Sequence, residues 1–222
     1  MTTFAVLGTG VVGRVIATNL VELGHQVFLG TRNPSETNNR EDLAKWLGEN
    51  TSIELLTFFD AAHRADAIVN ALPGHACLEV FTSLVLSDAK SVTGKTVIDI
   101  SNPLDFSQGF PPTLFVKDTD SLAEQIQRTI PTAKVVKTLN TMTADWMIPR
   151  KMDPSKELSV FLSSDDEAAK NFVKEILQSF GHRDIIDIGD LSSARAAEML
   201  LPMWLRLSVA MNSYSMNFKI IR

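Results

Sequence analysis

Phe4-Ala5-Val6-Leu7-Gly8-Thr9-Gly10-Val11-Val12-Gly13 is an apolar run that ends in a GxGxxG turn. The run Phe4-Ala5-Val6-Leu7 reads as a strand buried on both faces. After the turn, Val12, Ile16 and Leu20 recur every four residues, with Val11 and Val15 beside them, which predicts a helix running to Leu23. Gly24, free to take positive φ, ends it. Residues 25–29 then form a second strand. In the turn, Gly8 permits the tight bend. Gly10 lets a pyrophosphate approach the backbone, and Gly13 lets helix and strand pack closely. The helix start adds free N–H groups and the positive end of its dipole. Residues 1–32 are therefore read as a dinucleotide-binding β-α-β unit.

The end of the second strand selects the dinucleotide. An NAD site carries Asp or Glu about 20 residues beyond the turn, bonded to the ribose 2′-hydroxyl. Here Gly30-Thr31-Arg32-Asn33 holds no acid. A carboxylate would repel a 2′-phosphate, whereas a guanidinium matches it as a planar fork, and Thr31 adds a hydroxyl. The expected cofactor is NADP(H).

Farther along, strands are expected at 53–56, 66–70, 95–100, 134–139, 159–162 and 183–188. Helices are expected at 40–47, from Asp60, after the Leu72-Pro73-Gly74 turn through Leu86, at 121–128 and at 165–180. Residues 31–39 and 101–113, with their prolines, read as loops. The tail 192–218 reads as one amphipathic, Met-rich helix with an irregularity at Pro202. Strands alternating with helices imply an α/β fold: a Rossmann-like, doubly wound, mostly parallel sheet with a small C-terminal helical extension. The expected division is a cofactor-binding domain over 1–190 and an extension over 191–222.

Ligands in such sheets sit over the carboxyl ends of the strands. Three further loops fall there. Ala71, Leu72 and Pro73 offer apolar surface to a nicotinamide face. Asn102 in the second loop, with Asn140 and Thr141 in the third, offers hydrogen bonds to its carboxamide or to a second substrate. The alternative reading of these Asn and Pro residues is simple turn formation.

Composition sets the outer bounds. The chain has 222 residues, 45% of them hydrophobic, and a formal charge of −5. That is enough to bury a real core, and the acidic balance is wrong for nucleic acid or a membrane surface. The apolar stretch 199–211, interrupted by Pro202 and Arg206, is too short and polar to span a bilayer. The one cysteine, Cys77, and the lack of a basic leader before the first strand fit a cytoplasmic location.

Chemistry is sparse. Of the histidines, His25 and His182 follow glycines at strand starts and read as structural, and His63 stands apart. His75 is the one histidine near the expected nicotinamide; its plainer reading is a solvent-facing helix start. Cys77 reads as core, no Cys/His spacing indicates a metal, and Arg195 and Glu198 are spaced to pair along one helix. Ring-to-ring hydride transfer needs positioning and water exclusion more than a proton donor. Reduction of a simple ketone would need one.

Taken together, GTGVVG (8–13), GTRNP (30–34), DISNPLDF (99–106), VVKTLNTM (135–142) and DLSSARAAEMLLPMWLRL (190–207) resemble the F420-dependent NADP oxidoreductases, in which F420 is a deazaflavin coenzyme. The fold also resembles the reductase domain of the six-transmembrane metalloreductases, which pass hydride from NADPH to a flavin. The resemblance implies that Thr9, Val11, Val12, Thr31 and Arg32 contact NADP and that Leu72 and Pro73 approach the nicotinamide. Asn102, Asn140 and Thr141, with the tail helix, would face a deazaflavin or flavin. Members using the deazaflavin often carry a basic residue soon after the arginine. Here Pro34, Ser35 and Glu36 follow, which leaves the 2′-phosphate to Thr31 and Arg32. The apolar tail points to a homodimer. Two other readings compete: an imine or β-hydroxyacid reductase, whose substrate domain is normally much longer than this tail, and a non-catalytic NADP-sensing protein.

Overall fold

The computed structural model describes residues 1–152 and 157–222. The first half runs β1 (Thr3–Leu7), α1 (Val11–Glu22), β2 (Gln26–Thr31), α2 (Pro34–Asn38), α3 (Glu41–Glu49), β3 (Glu54–Thr57), α4 (Phe58–Arg64), β4 (Ala67–Asn70) and α5 (Gly74–Ser87). Then follow β5 (Thr96–Asp99), β6 (Leu104–Asp105), β7 (Thr113–Leu114), α6 (Leu122–Thr129), β8 (Lys134–Thr138), β9 (Ser159–Ser163), α7 (Glu167–Phe180), β10 (Asp184–Asp187), α8 (Ala194–Met199) and α9 (Leu201–Ala210).

The main sheet has the order β10-β9-β8-β5-β4-β1-β2-β3, parallel at every pairing except β8 with β9. Phe4, Ala5, Val6 and Leu7 of β1 are fully buried, as a strand covered by helices on both faces requires. Strand order runs one way from β1 through β2 to β3 and the other way through β4, β5 and β8. The crevice where this direction reverses, between the ends of β1 and β4, is the ligand position of such sheets.

Three expected elements differ. Residues 34–38 form the short helix α2, because the Asn33 side chain accepts the Glu36 N–H (3.2 Å) and Pro34 takes the first helical position. The expected loop 101–113 contains a hairpin in which β6 pairs antiparallel with β7. The tail helix has its expected irregularity at Pro202 but is shorter. Pro202 has no N–H to return to the Glu198 carbonyl, so α8 and α9 meet at Leu200, and helix ends at Ala210. Beyond it the chain returns to the start of β9, where Ser159 N–H donates to the Phe218 carbonyl (2.9 Å). Met216 and Phe218 cover Leu201, Trp204 and Leu205 of α9. Among the described residues no helix is long and apolar enough to cross a membrane.

Candidate functional site

The turn between β1 and α1 has the geometry its glycines demand. Gly8 takes φ +120°, and a Cβ there would come within 2.5 Å of the Ala71 carbonyl oxygen across the crevice. A Cβ on Gly13 would collide with the Gly8 carbonyl. Gly10 instead faces open space, with nothing within 4 Å of where its Cβ would lie. It is also the N-cap of α1, and no side chain caps that helix, which leaves the first N–H groups free for an anion. The turn is thus braced at Gly8 and Gly13 and open at Gly10.

At the end of β2, Thr31 is 7% exposed and its Oγ1 lies 2.7 Å from Thr37 Oγ1 of α2. Arg32 is exposed and makes no ion pair among the described residues. Across the opening, Arg40 Nη1 donates to Thr9 Oγ1 (3.2 Å) while its Nη2 holds Asp42 (3.1 Å). Asp42 also pairs with Arg14 of α1 (3.1 Å). Sequence reading passes over Arg40, since only the fold brings it to the glycine turn.

Beside the turn, a cleft of about 280 Å³ opens over the ends of β4, β5 and β8. Val12, Ala71, Leu72 and Pro73 line one part of it, and Leu104, Phe106, Met142 and Met147 another. Asn102 and Asn140 lie between, with their amides engaged to each other. Asn102 Nδ2 donates to the Asn140 carbonyl (2.9 Å), and Asn140 Nδ2 donates to Asn102 Oδ1 and the Ala197 carbonyl (both 3.0 Å). Through that last bond α8 is fixed to the cleft floor. Thr141 is buried and stands apart from the cleft lining. His75 is exposed at the rim and is the one titratable side chain among those lining the cleft.

Below the floor lies a charged cluster that the sequence did not announce. Lys137 of β8 is fully buried, and its Nζ donates to Asp99 Oδ2 (2.8 Å), Glu198 Oε1 (3.0 Å) and the Ser101 carbonyl (2.5 Å). Burial works against the ammonium, but the carboxylates of Asp99 and Glu198 outweigh it and hold its pKa above the ordinary lysine range. Asp99 Oδ1 accepts from Asn70 Nδ2 (2.8 Å) and Ser101 Oγ (2.7 Å). Glu198 also accepts the Leu122 and Ala123 N–H groups at the start of α6 (2.8 and 3.1 Å). The expected pairing of Arg195 with Glu198 is therefore absent. Glu198 turns inward to a buried lysine, which it shares with Asp99, and to two N–H groups at the start of α6, and Arg195 reaches Glu124 instead (Nε to Oε2, 2.8 Å).

The remaining candidates are quiet. Burial pushes the Cys77 thiol up to about 11, which makes it a poor nucleophile. Burial also lowers His182 to about 4, with its Nε2 against the Met147 carbonyl (3.0 Å).

This architecture has known counterparts. A family model described as NADP oxidoreductase, coenzyme F420-dependent, matches residues 3–103. A crystal structure of a candidate F420-dependent NADP-reductase from Arthrobacter sp. FB24 is 48% identical, with a TM-score of 0.94 and full coverage of both chains. The F420-dependent NADP reductase of Methanocaldococcus jannaschii is 25% identical over 218 residues, 96% of this chain and 95% of that protein. Metalloreductase STEAP3 of Rattus norvegicus is 28% identical over 222 residues; the match takes in 96% of this chain and 41% of that longer protein. On the identity and fold shared along its whole length with the Arthrobacter protein, and on the family match across its first half, the chain belongs to the coenzyme F420-dependent NADP oxidoreductases.

Proposed function

We propose that the chain is an NADP(H)-dependent oxidoreductase that moves hydride between the nicotinamide and a deazaflavin or flavin ring. The observation that carries the NADP reading is the end of β2. An exposed Arg32, without an ion pair among the described residues, and the buried Thr31 stand there, and Gly30-Thr31-Arg32-Asn33 has no carboxylate. The residues fit the cofactor: the space at Gly10 and the uncapped start of α1 suit a pyrophosphate. Thr31 and Arg32 would hold the 2′-phosphate, with Thr9, Val11 and Val12 along the same edge. Ala71, Leu72 and Pro73 would cover one face of the nicotinamide and keep water from it. When bound, the dinucleotide supplies or takes the hydride.

The second ring would lie against Leu104, Phe106, Met142 and Met147. Asn102 and Asn140 fix the floor beneath both rings. His75 at the rim is the one titratable side chain of the cleft lining, and the Ser101 hydroxyl there is committed to Asp99, so proton exchange with a reduced ring would go through solvent. Such a site suits transfer between two preoriented rings and does not suit ketone reduction. The exposed Met203, Val209 and Met211 of the α9 region would form a homodimer contact, which light scattering tests. A cytoplasmic location accompanies this reading.

Stopped-flow oxidation of NADPH against a deazaflavin, FMN and a ferric chelate tests the function. Fast turnover with a ring acceptor is the expected result. Tight NADPH binding with no turnover against any of them would replace the enzyme by an NADP-sensing protein.

A further inference from the structure

We propose that Arg40 is a second determinant of the 2′-phosphate, acting with Arg32 to set preference for NADPH over NADH; this rests on the NADP reading above. Arg40 directly precedes α3, and its side chain spans from there to Thr9 in the glycine turn, 31 positions away in sequence. The opening it crosses is bounded by the β1–α1 turn on one side and by the end of β2 on the other, where the adenosine ribose of a dinucleotide lies in this fold.

The hydrogen-bond directions matter. Arg40 Nη1 donates to Thr9 Oγ1, so that oxygen is an acceptor in this contact and its own proton is free to donate to a phosphate oxygen. The guanidinium uses one further nitrogen on Asp42, and its remaining N–H donors make no hydrogen bond among the described residues. Side-chain exposure of 48% leaves them reachable.

Charge points the same way. Asp42 sits between Arg14 and Arg40, 3.1 Å from each, so this trio carries a net positive charge. Arg32 adds an exposed cation. Against them stand the exposed Glu36 in the first turn of α2 and the exposed Glu41 beside Arg40 in the first turn of α3. A lone Arg32 would face a phosphate of about −1.5 to −2 charge with Glu36 four positions away in sequence. Arg40 supplies the second cation that such a phosphate needs.

The competing role is a strut: Arg40 could serve only to tie α3 to the glycine turn. The two roles separate by cofactor. A strut shapes the site for NADPH and NADH alike, whereas a phosphate ligand acts on NADPH only. Dissociation constants for NADPH, NADH, adenosine 2′,5′-bisphosphate and 5′-AMP should be measured by calorimetry on wild type, Arg40→Ala and Arg40→Lys, with thermal melts to confirm folding. The expected result is a loss of about 10- to 100-fold for NADPH and the bisphosphate in Arg40→Ala. NADH and 5′-AMP should stay within about twofold, and Arg40→Lys should recover part of the loss. Equal loss for both cofactors, or no loss for either, overturns the proposal. A wild type with no preference for NADPH overturns the NADP reading beneath it, whatever Arg40 does.

Discussion

Lys137→Met gives the sharpest test of the buried cluster. The substitution keeps a long unbranched side chain but removes three Nζ contacts, to Asp99 at 2.8 Å, Glu198 at 3.0 Å and the Ser101 carbonyl at 2.5 Å. Two carboxylates then share a dry site with no cation. Removing one partner of a fully buried pair costs about 3–5 kcal/mol, because the partner left behind has lost water without compensation. For a chain of this size each kcal/mol moves the midpoint by about 2–4 °C, so a fall of roughly 10 °C is expected. The assay is urea unfolding followed by fluorescence, with a calorimetric Tm alongside. The triple variant Lys137→Met, Asp99→Asn, Glu198→Gln removes all three charges and should recover a large part of the loss. A single variant within about 1 kcal/mol of wild type would show that water reaches the cluster and refute the argument. The pH dependence has a definite sign. The folded Lys137 pKa lies above its unfolded value, so its contribution is complete at neutral pH. It is lost only as pH rises through the folded value, beyond the ordinary lysine range.

Other outcomes follow from the same geometry. Arg32→Asp should weaken NADPH by more than about tenfold and leave NADH nearly unchanged in a fluorescence titration; unchanged NADPH affinity would remove Arg32 from the site. Phe106→Ala, which deletes a ring 59% exposed on the cleft, should raise the acceptor KM about 2- to 10-fold and spare the NADPH Kd. Steady-state kinetics with varied acceptor reads this directly. His182, held neutral by burial down to about 4, contributes stability that is present above its unfolded value of 6.5 and lost as pH falls toward 4. Urea midpoints of wild type across that range should decline more steeply than those of His182→Asn.

What could be read from the chain was local. Phe4 to Gly13 carries its own periodicity, glycine spacing and strand-to-helix order, and the observed β1, turn and α1 follow them. The alternation of later segments placed the other loops at one sheet edge, which is why Leu72, Asn102 and Asn140 lie on one cleft. Long-range pairing was hidden. Lys137 sits in KVVKT, where a lysine reads as solvent-facing; its burial depends on Glu198, which arrives from α8. Arg195 and Glu198 looked like helix neighbours, but Glu124 and Leu122, more than 70 positions away, claim them instead. Arg40 belongs with Thr9 only once α3 has packed. The helix at Pro34 was readable, since Asn33 before a proline is a helix-start signal; the pull of Pro34 toward a loop reading hid it. The two-residue strands of the hairpin are too short for any period to show.

Glu198 serves two masters, as counter-ion to Lys137 and as cap to the first N–H groups of α6. Swinging α8 outward would take one of two carboxylates from a buried ammonium and bare a helix end in one motion. The hairpin at the cleft pairs through two short strands and packs Leu104 on α9, while Phe106 and Phe110 stand more than half exposed. Under the proposed function, a planar substrate entering the cleft would pass between α8, anchored from below, and the exposed rings of the hairpin. On that reading, substitutions in residues 104–114 would reach the substrate path while leaving the charged cluster beneath β8 untouched.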